Sequence, residues 1–293
     1  MVKNVIDYSK PIPTVEFLSN KLPVPDPSDE PLVYMNDRFM CDSKYFRWVE
    51  MGGNALPGSS PKIMCRKTVF EMVEKAEALL PEGYRFVIFD AYRPIAVQQS
   101  LWDYFRRRFR KQNPEKTEEE IDHMTLFCIS FPSYNVLLPS LHNTGGAVDL
   151  TIIGPDGKEL DMGCEFDEFT DAAWTTYFED GQAGDGANIQ ARDNRRMLYN
   201  VMTEVGFTNF PAEWWHFDYG DEKWGLYTNN VPVYAGILDA KVAETTPYNY
   251  MDLVRESDAK QQEMIHAMKS IYSRCRELDE SVASVMRGTK PDA

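Results

Sequence analysis

The chain has 293 residues, is 43% hydrophobic and carries a formal net charge of −15. That length supports one large domain, or one domain with an appendage, and the negative field argues against a nucleic-acid partner. No run approaches the roughly 20 apolar residues that span a bilayer, so no membrane partner is expected.

The first ten residues, Met1 to Lys10, contain no apolar h-region and no small-residue cleavage site. They read as no secretory signal, and a cytoplasmic location is expected. The five cysteines are odd in number and form no C-x-x-C pair, which fits free thiols rather than a disulfide framework or thiolate cluster. Residues 11–31 hold six prolines: Pro11, Pro13, Pro23, Pro25, Pro27 and Pro31. Neither a regular helix nor a central strand tolerates that density, so an extended arm on the domain surface is expected.

Between Arg66 and Leu80 the apolar residues Val69, Val73, Ala76 and Leu80 recur at helical spacing. Pro81-Glu82-Gly83 then signals a turn, and Tyr84–Phe89 reads as a strand. Pro94 suits the first residue of a helix running to about Arg110. Thr117 and Glu120 have the spacing of a capping box at the start of another. The basic run Arg106, Arg107, Arg108, Arg110 and Lys111 is expected to pair locally with Glu118, Glu119, Glu120 and Asp122, as a solvated face.

Ala147–Ile153 reads as a buried strand ended by the turn Pro155-Asp156-Gly157. Glu179–Asn188 reads as an acidic, glycine-bearing loop, and Asp193 as the cap of a helix continuing to Gly206. Phe207–Tyr219 has strand-like aromatic composition. Near the end, Met264, Met268, Ile271, Cys275, Leu278, Val282 and Val285 alternate by four and three residues. That seam suits a helix docked on its own domain or on a second copy of the chain, giving a homo-oligomer. The expected division is an arm over 1–31, a domain over 32–238 and a C-terminal helical extension over 239–293.

Only four histidines are present, and two lie in structured surroundings: Ser140-Leu141-His142-Asn143-Thr144-Gly145-Gly146-Ala147-Val148-Asp149 and Glu213-Trp214-Trp215-His216-Phe217. Zinc takes imidazole nitrogens and carboxylate oxygens at about 2.0–2.2 Å, and catalytic sites leave one position open. His142, Asp149 and His216 supply three such ligands. Gly145-Gly146 would let the chain turn and return Asp149 on the following strand. Zinc lowers the pKa of water from about 15.7 to about 7, and Glu213 is the candidate proton acceptor. Arg93, at a strand-to-helix junction, is the candidate to stabilise an oxyanion, and a structural pairing with Asp90 is the competing reading. Glu213 and His216 are three apart, an odd spacing that puts side chains on opposite faces of an ideal strand. A bend or bulge at Trp214-Trp215 is expected to bring both to the metal.

These segments carry a resemblance. D-A-Y-R-P, S-L-H-N-T-G-G-A-V-D-L-T, M-G-C-E-F-D and E-W-W-H-F occur in one order from Asp90 to Phe217 and closely resemble the VanX-type D-alanyl-D-alanine dipeptidases. The resemblance implies an α+β fold with a small antiparallel central sheet flanked by helices, shared with D,D-carboxypeptidases and hedgehog-like domains. It implies one zinc ion on His142, Asp149 and His216, Glu213 as catalytic base, and Arg93 at the transition state. It further implies Ser140 at the substrate carboxylate, although a plain turn residue is nearly as good a reading. Asp167 and Tyr34 are implied at the substrate amine. The expected reaction is hydrolysis of a free D,D-dipeptide; the alternatives are action on other wall-derived peptides, or a zinc-stabilised binding module without catalysis.

Overall fold

The computed structural model describes residues 6–16, 18, 22, 28, 30–47, 54–179 and 186–237. Their elements run β1 (Leu32–Tyr34), β2 (Met40–Cys41), β3 (Met64–Arg66), α1 (Lys67–Glu77), β4 (Arg85–Asp90), α2 (Ile95–Gln112), α3 (Glu118–Cys128), β5 (Ala147–Ile153), α4 (Gly186–Glu204), β6 (Thr208–Asn209), β7 (His216–Asp218) and α5 (Glu222–Thr228). Five strands form one sheet in the order β2-β4-β5-β7-β6, and β1 and β3 form a separate antiparallel pair. The fold is a mixture of helices and sheets as expected. The expectation of a purely antiparallel sheet needs one correction: edge strand β2 runs parallel to β4. β2 and β4 are joined by a long connection that includes β3 and α1 and not by a hairpin, so no tight turn forces the antiparallel direction.

β4 and β5 form the middle of the sheet and are buried on both faces, so they lack polar alternation. One face meets α1 and α4, where Val69, Val73 and Ala76 pack with Leu198, Val201 and Met202 over Phe86, Ile88, Leu150 and Ile152. Each of these side chains larger than alanine contributes about 1.5–3 kcal/mol on leaving water. A second core joins α2 and α3 through Leu101, Trp102, Phe105, Phe109 and Ile121, with Tyr45 and Leu56 from the segment before them.

Local signals explain most element boundaries. Thr117 Oγ1 accepts from Glu120 N, and the Glu120 carboxylate accepts from Thr117 N, so both halves of the expected capping box are present. Pro94 is the N-cap of α2, not its first residue. The N-terminus of α1 has no cap from its own Arg66; Glu30 reaches in and accepts from Thr68 N at 2.5 Å. A carboxylate there also meets the positive end of the helix dipole. The basic run behaves as expected, with Arg106 pairing with Glu118 and Asp122 at the surface, and Arg110 with Glu118.

α4 departs from expectation. It begins at Gly186, seven residues before Asp193, which lies inside the helix. The residues read as the end of an acidic loop are its first turn. The described arm residues have no regular structure, and neighbouring side chains hold their backbone. Arg196 donates to Ser9 O and Asn200 to Lys10 O from α4; Leu18 N donates to the Tyr227 hydroxyl, and Glu222 accepts from Leu22 N. Cys41, Cys65, Cys128 and Cys164 are free thiols. Among the described residues, no helix is long and apolar enough to cross a membrane. The seam from Met264 to Val285, and the C-terminal extension with it, lie outside the described residues.

Candidate metal and active site

The sheet's register brings three acidic or imidazole side chains to one level. Asp90 on β4 pairs with Asp149 on β5, and Asp149 pairs with His216 on β7. A register shift between Ile88 and Asp90 turns the end of β4 toward this level. His142 comes from the short 3-10 turn Leu141–Thr144 before β5. Gly145 ends that turn at φ 74°, and a side chain on Gly146 would lie 2.4 Å from Tyr219 O. The glycine pair thus lets the turn close tightly and β5 run beside β7.

One ligand atom each from His142, Asp149 and His216 lie within 4.8 Å of one another, and all three residues are buried. His142 Nδ1 donates to Ala91 O at 2.7 Å, which leaves the Nε2 lone pair facing Asp149 Oδ2 at 3.3 Å. His216 Nδ1 lies 3.0 Å from Asp149 Oδ1, and its Nε2–H donates to Asp218 Oδ1 at 2.7 Å. A carboxylate or carbonyl behind each imidazole is the arrangement that fixes metal-ligating tautomers.

The charges demand a cation here. Burial alone would push the His216 imidazole down, but Asp218 and Asp149 on its two nitrogens hold it well above its ordinary value. Burial would raise Asp149, yet the neighbouring imidazoles hold its carboxyl well below the usual range. The contact between Nδ1 and Asp149 needs either a proton or a metal ion between them. Two imidazoles and one carboxylate suit zinc, so the donor set fits.

Glu213 approaches the same cluster, with Oε2 3.8 Å from His216 Nδ1 and 25% of its side chain exposed. The expected bend at Trp214-Trp215 is present. The Glu213 carbonyl accepts from His216 N, closing a turn through Trp214-Trp215 that puts the side chains of residues 213 and 216 on one side. Desolvation, with Asp149 adding to it, pushes the Glu213 carboxyl up to about 7 although His216 opposes the shift. A carboxyl in that range can both accept and return a proton near neutral pH.

Arg93 is buried and held at three points: Nε donates to Asp90 Oδ2 at 2.7 Å, Nη1 to Gln98 Oε1 at 2.9 Å and Nη2 to Tyr45 Oη at 3.1 Å. The pairing with Asp90 is therefore real, and it leaves the far end of the guanidinium beside the cluster, with Nη2 3.7 Å from Asp149 Oδ2. Tyr45 Oη in turn donates to Asp167 Oδ2 at 3.2 Å. Asp167 holds φ 57°, an uncommon backbone state that aims its side chain inward. Burial, then the charges of Asp149 and Glu213, raise its carboxyl well above the usual range. Ser140 is the N-cap of the 3-10 turn before His142, is buried, and spends no side-chain hydrogen bond on capping.

Tyr34 differs from expectation. It stands on β1 with 42% of its surface exposed and Lys62 over its ring, and its described contacts do not reach the cluster. The tyrosine between Arg93 and Asp167 is Tyr45, which the sequence reading missed. Asp218 was missed too, although its spacing is a usable signal: residues two apart on a strand share a face, so a carboxylate at 218 stands beside His216. Cys164 lies near this region with Arg195 Nη2 3.6 Å from its sulfur. Arg195 also donates to the carbonyls of Met162, Ala172 and Trp174, and so ties down the segment that carries Asp167.

The profile of the peptidase M15 family, described as D-Ala-D-Ala dipeptidase, matches residues 31–236. A D-alanyl-D-alanine dipeptidase of Synechocystis sp. is 31% identical over 225 residues, covering 71% of this chain and 89% of the relative. One from Enterococcus faecium is 28% identical over 184 residues, covering 62% of this chain and 86% of the relative. Among solved structures, VanYB in complex with D-Alanine-D-Alanine aligns at a TM-score of 0.39 and 14% identity, over 71% of this chain and 89% of that one; a likeness so slight supports no argument.

Proposed function

Since this chain belongs to the peptidase M15 family of D-Ala-D-Ala dipeptidases, we propose that it hydrolyses the free dipeptide D-Ala-D-Ala to two D-alanines with one zinc ion. His142 Nε2, the Asp149 carboxylate and His216 Nδ1 would hold the ion. The observation that carries the reading is their convergence within 4.8 Å, with the Glu213 carboxylate at the edge of the cluster. Residues 32–238 are taken as the catalytic unit, in keeping with the span of the family match.

Bound there, zinc supplies a Lewis acid that activates water and polarises the scissile carbonyl. Glu213 accepts the proton of the attacking water on its carboxylate and delivers it to the nitrogen of the leaving amine. Its elevated affinity for a proton suits both transfers. Arg93, with Nε and one hydrogen on each Nη engaged, retains N–H groups for the oxyanion. Because Asp90, Gln98 and Tyr45 hold it in place beforehand, little reorganisation is needed during the reaction. Asp167, steadied by Tyr45, would bind the substrate ammonium, which restores the charge that burial disfavours. Ser140 would donate to the substrate carboxylate.

Binding both substrate ends distinguishes a dipeptidase from a carboxypeptidase. The test is to supply zinc-loaded protein with D-Ala-D-Ala and with its N-acetylated analogue, and to measure D-alanine. Release from the free dipeptide alone is expected. No release despite bound zinc would overturn the reading, and preferential release from the acetylated compound would make the chain a D,D-carboxypeptidase.

A further inference from the structure

We propose that Asn143 and the backbone of Ile237 form a clasp that positions the His142 ligand, which makes Asn143 a positioning residue of the metal site. This inference rests on the metal site of the proposed function. Asp149 and His216 stand on paired strands, where the β5–β7 ladder fixes their backbone. His142 stands on the four-residue 3-10 turn Leu141–Thr144, outside any strand. Within this turn Asn143 N donates to Ser140 O at 3.0 Å and Gly145 N to His142 O at 3.2 Å. So short a turn is weakly bonded internally and takes its position from what holds it. The end of β4 supplies one anchor, because His142 Nδ1 donates to Ala91 O at 2.7 Å and Arg93 N to His142 O at 3.1 Å.

Asn143 supplies the other. Its side chain is buried, and every polar atom of it is used. Oδ1 accepts from Ile237 N at 3.1 Å, and Nδ2 donates to Ile237 O at 3.1 Å and to Arg93 O at 3.4 Å. Two carbonyls face one end of the amide and an N–H the other, so the partners fix which end is oxygen and which is nitrogen. Ile237 N also donates to Asn143 O at 3.1 Å. The pair is reciprocal, as between neighbouring strands, and the second amide hydrogen reaches the residue that carries the oxyanion arginine.

The segment that grips Asn143 is itself held. Val233 N and Tyr234 N donate to Gly220 O at 2.7 and 2.9 Å, and Gly236 N donates to Val136 O at 2.7 Å. Tyr234 Oη donates to Glu30 Oε2 at 2.8 Å, and Tyr234 and Ala235 are buried. Residues 233–237 therefore act as a fixed strap. Without the clasp the turn would hinge on its β4 anchor, and the hinge would swing His142 Nε2 relative to Asp149, 3.3 Å away. The backbone of a metal ligand before β5 is thus set by a segment that contributes no ligand.

The test measures zinc affinity of the full chain by competition with a chromophoric chelator, the visible spectrum of the cobalt(II)-loaded protein, and melting of the metal-free protein. Asn143→Ala removes the clasp. Asn200→Ala is the matched control: it deletes another buried amide, which donates to Lys10 O at 2.9 Å from α4. Both variants should melt below the parent. Only Asn143→Ala should bind zinc about tenfold more weakly and shift the cobalt bands, the effect expected of a lost outer-shell partner. Zinc affinity in Asn143→Ala within about twofold of Asn200→Ala, with cobalt bands like the parent's, overturns the proposal and leaves Asn143 a packing residue. Gly236→Ala decides the matter should Asn143→Ala not fold, because it disturbs the strap and keeps Asn143. Its added Cβ would lie 2.8 Å from both Asn143 Oδ1 and Pro139 Cβ. Zinc binding about threefold weaker or more, with shifted cobalt bands, is expected, and parent-like values for both overturn the proposal. Absence of zinc uptake by the parent protein would instead overturn the metal site itself, and the clasp's role with it.

Discussion

Gly146→Ala tests how far the site depends on strand spacing. An added Cβ would lie 2.4 Å from Tyr219 O, 3.1 Å from Thr144 Oγ1 and 3.2 Å from Tyr234 Cδ2. The first contact is with backbone, so a rotamer change cannot relieve it. The chains of β5 and β7 must separate by roughly 1 Å, given ordinary contact distances near 3.5 Å. That opens the bond from Tyr219 N to Gly146 O, now 3.1 Å, which contributes about 1 kcal/mol. Overpacking adds about 1–3 kcal/mol, for a total of about 2–4 kcal/mol. In a domain of this size the melting midpoint should fall by roughly 5–15 °C, measured by calorimetry on the metal-free protein. The same shift moves Asp149 on β5 against His216 on β7, and a displacement of that order costs about 100-fold in turnover. Gly157→Ala is the control: nothing lies within 4 Å of its added Cβ, although φ is +77°. It should cost about 1–2 kcal/mol by backbone strain and leave turnover intact. If Gly146→Ala matched the parent in both midpoint and turnover, the reasoning from strand spacing would be refuted.

Glu213→Gln should lower kcat by about 10²–10⁴ while zinc content, measured by metal analysis, stays unchanged; full activity would remove Glu213 from the proton transfer. Tyr45→Phe should lower kcat/KM by about tenfold through loss of one hydrogen bond to the charged Arg93 and Asp167, and Tyr34→Phe should leave steady-state kinetics as they are. The reverse order would restore Tyr34 to the site. Arg195→Met strips donors from the carbonyls of Met162, Ala172 and Trp174, and should cost about 3–5 kcal/mol in urea unfolding, with a raised KM from the loosened Asp167 segment. Removing zinc with a chelator should lower stability by about 4 kcal/mol relative to protein kept at a thousandfold excess over Kd, and an unchanged melt would argue against a bound ion.

The parts of the fold that the sequence made legible are those where local physics and packing agree. The helical spacing of Val69, Val73 and Ala76, the Thr117–Glu120 box and the unbroken apolar run of β5 all appear where expected. The cluster of His142, Asp149 and His216 was legible because glycines and ligand-type residues stand together in two short segments. Tyr45 was not legible: its neighbours Asp42, Ser43, Lys44 and Arg47 are polar and form no motif with it, and only the fold carries its ring under Arg93. Asp193 misled because its residue type suits a cap, whereas the helix begins seven residues earlier, at Gly186. The bend at Trp214-Trp215 was legible from the odd spacing of Glu213 and His216, and one hydrogen bond, from His216 N to Glu213 O, closes it and brings the two side chains to one side.

Asp90, Asp149 and His216 occupy one rung across three strands. A strand's side chains alternate between faces, so sliding β7 by a single residue along β5 would carry His216 to the opposite side. Molecules that folded with such a slip would keep most of their hydrogen bonds and much of their compactness, yet would have lost the pocket for the ion. Stoichiometric metal capture would therefore count correctly paired molecules in a refolded sample, a census that circular dichroism is too coarse to take.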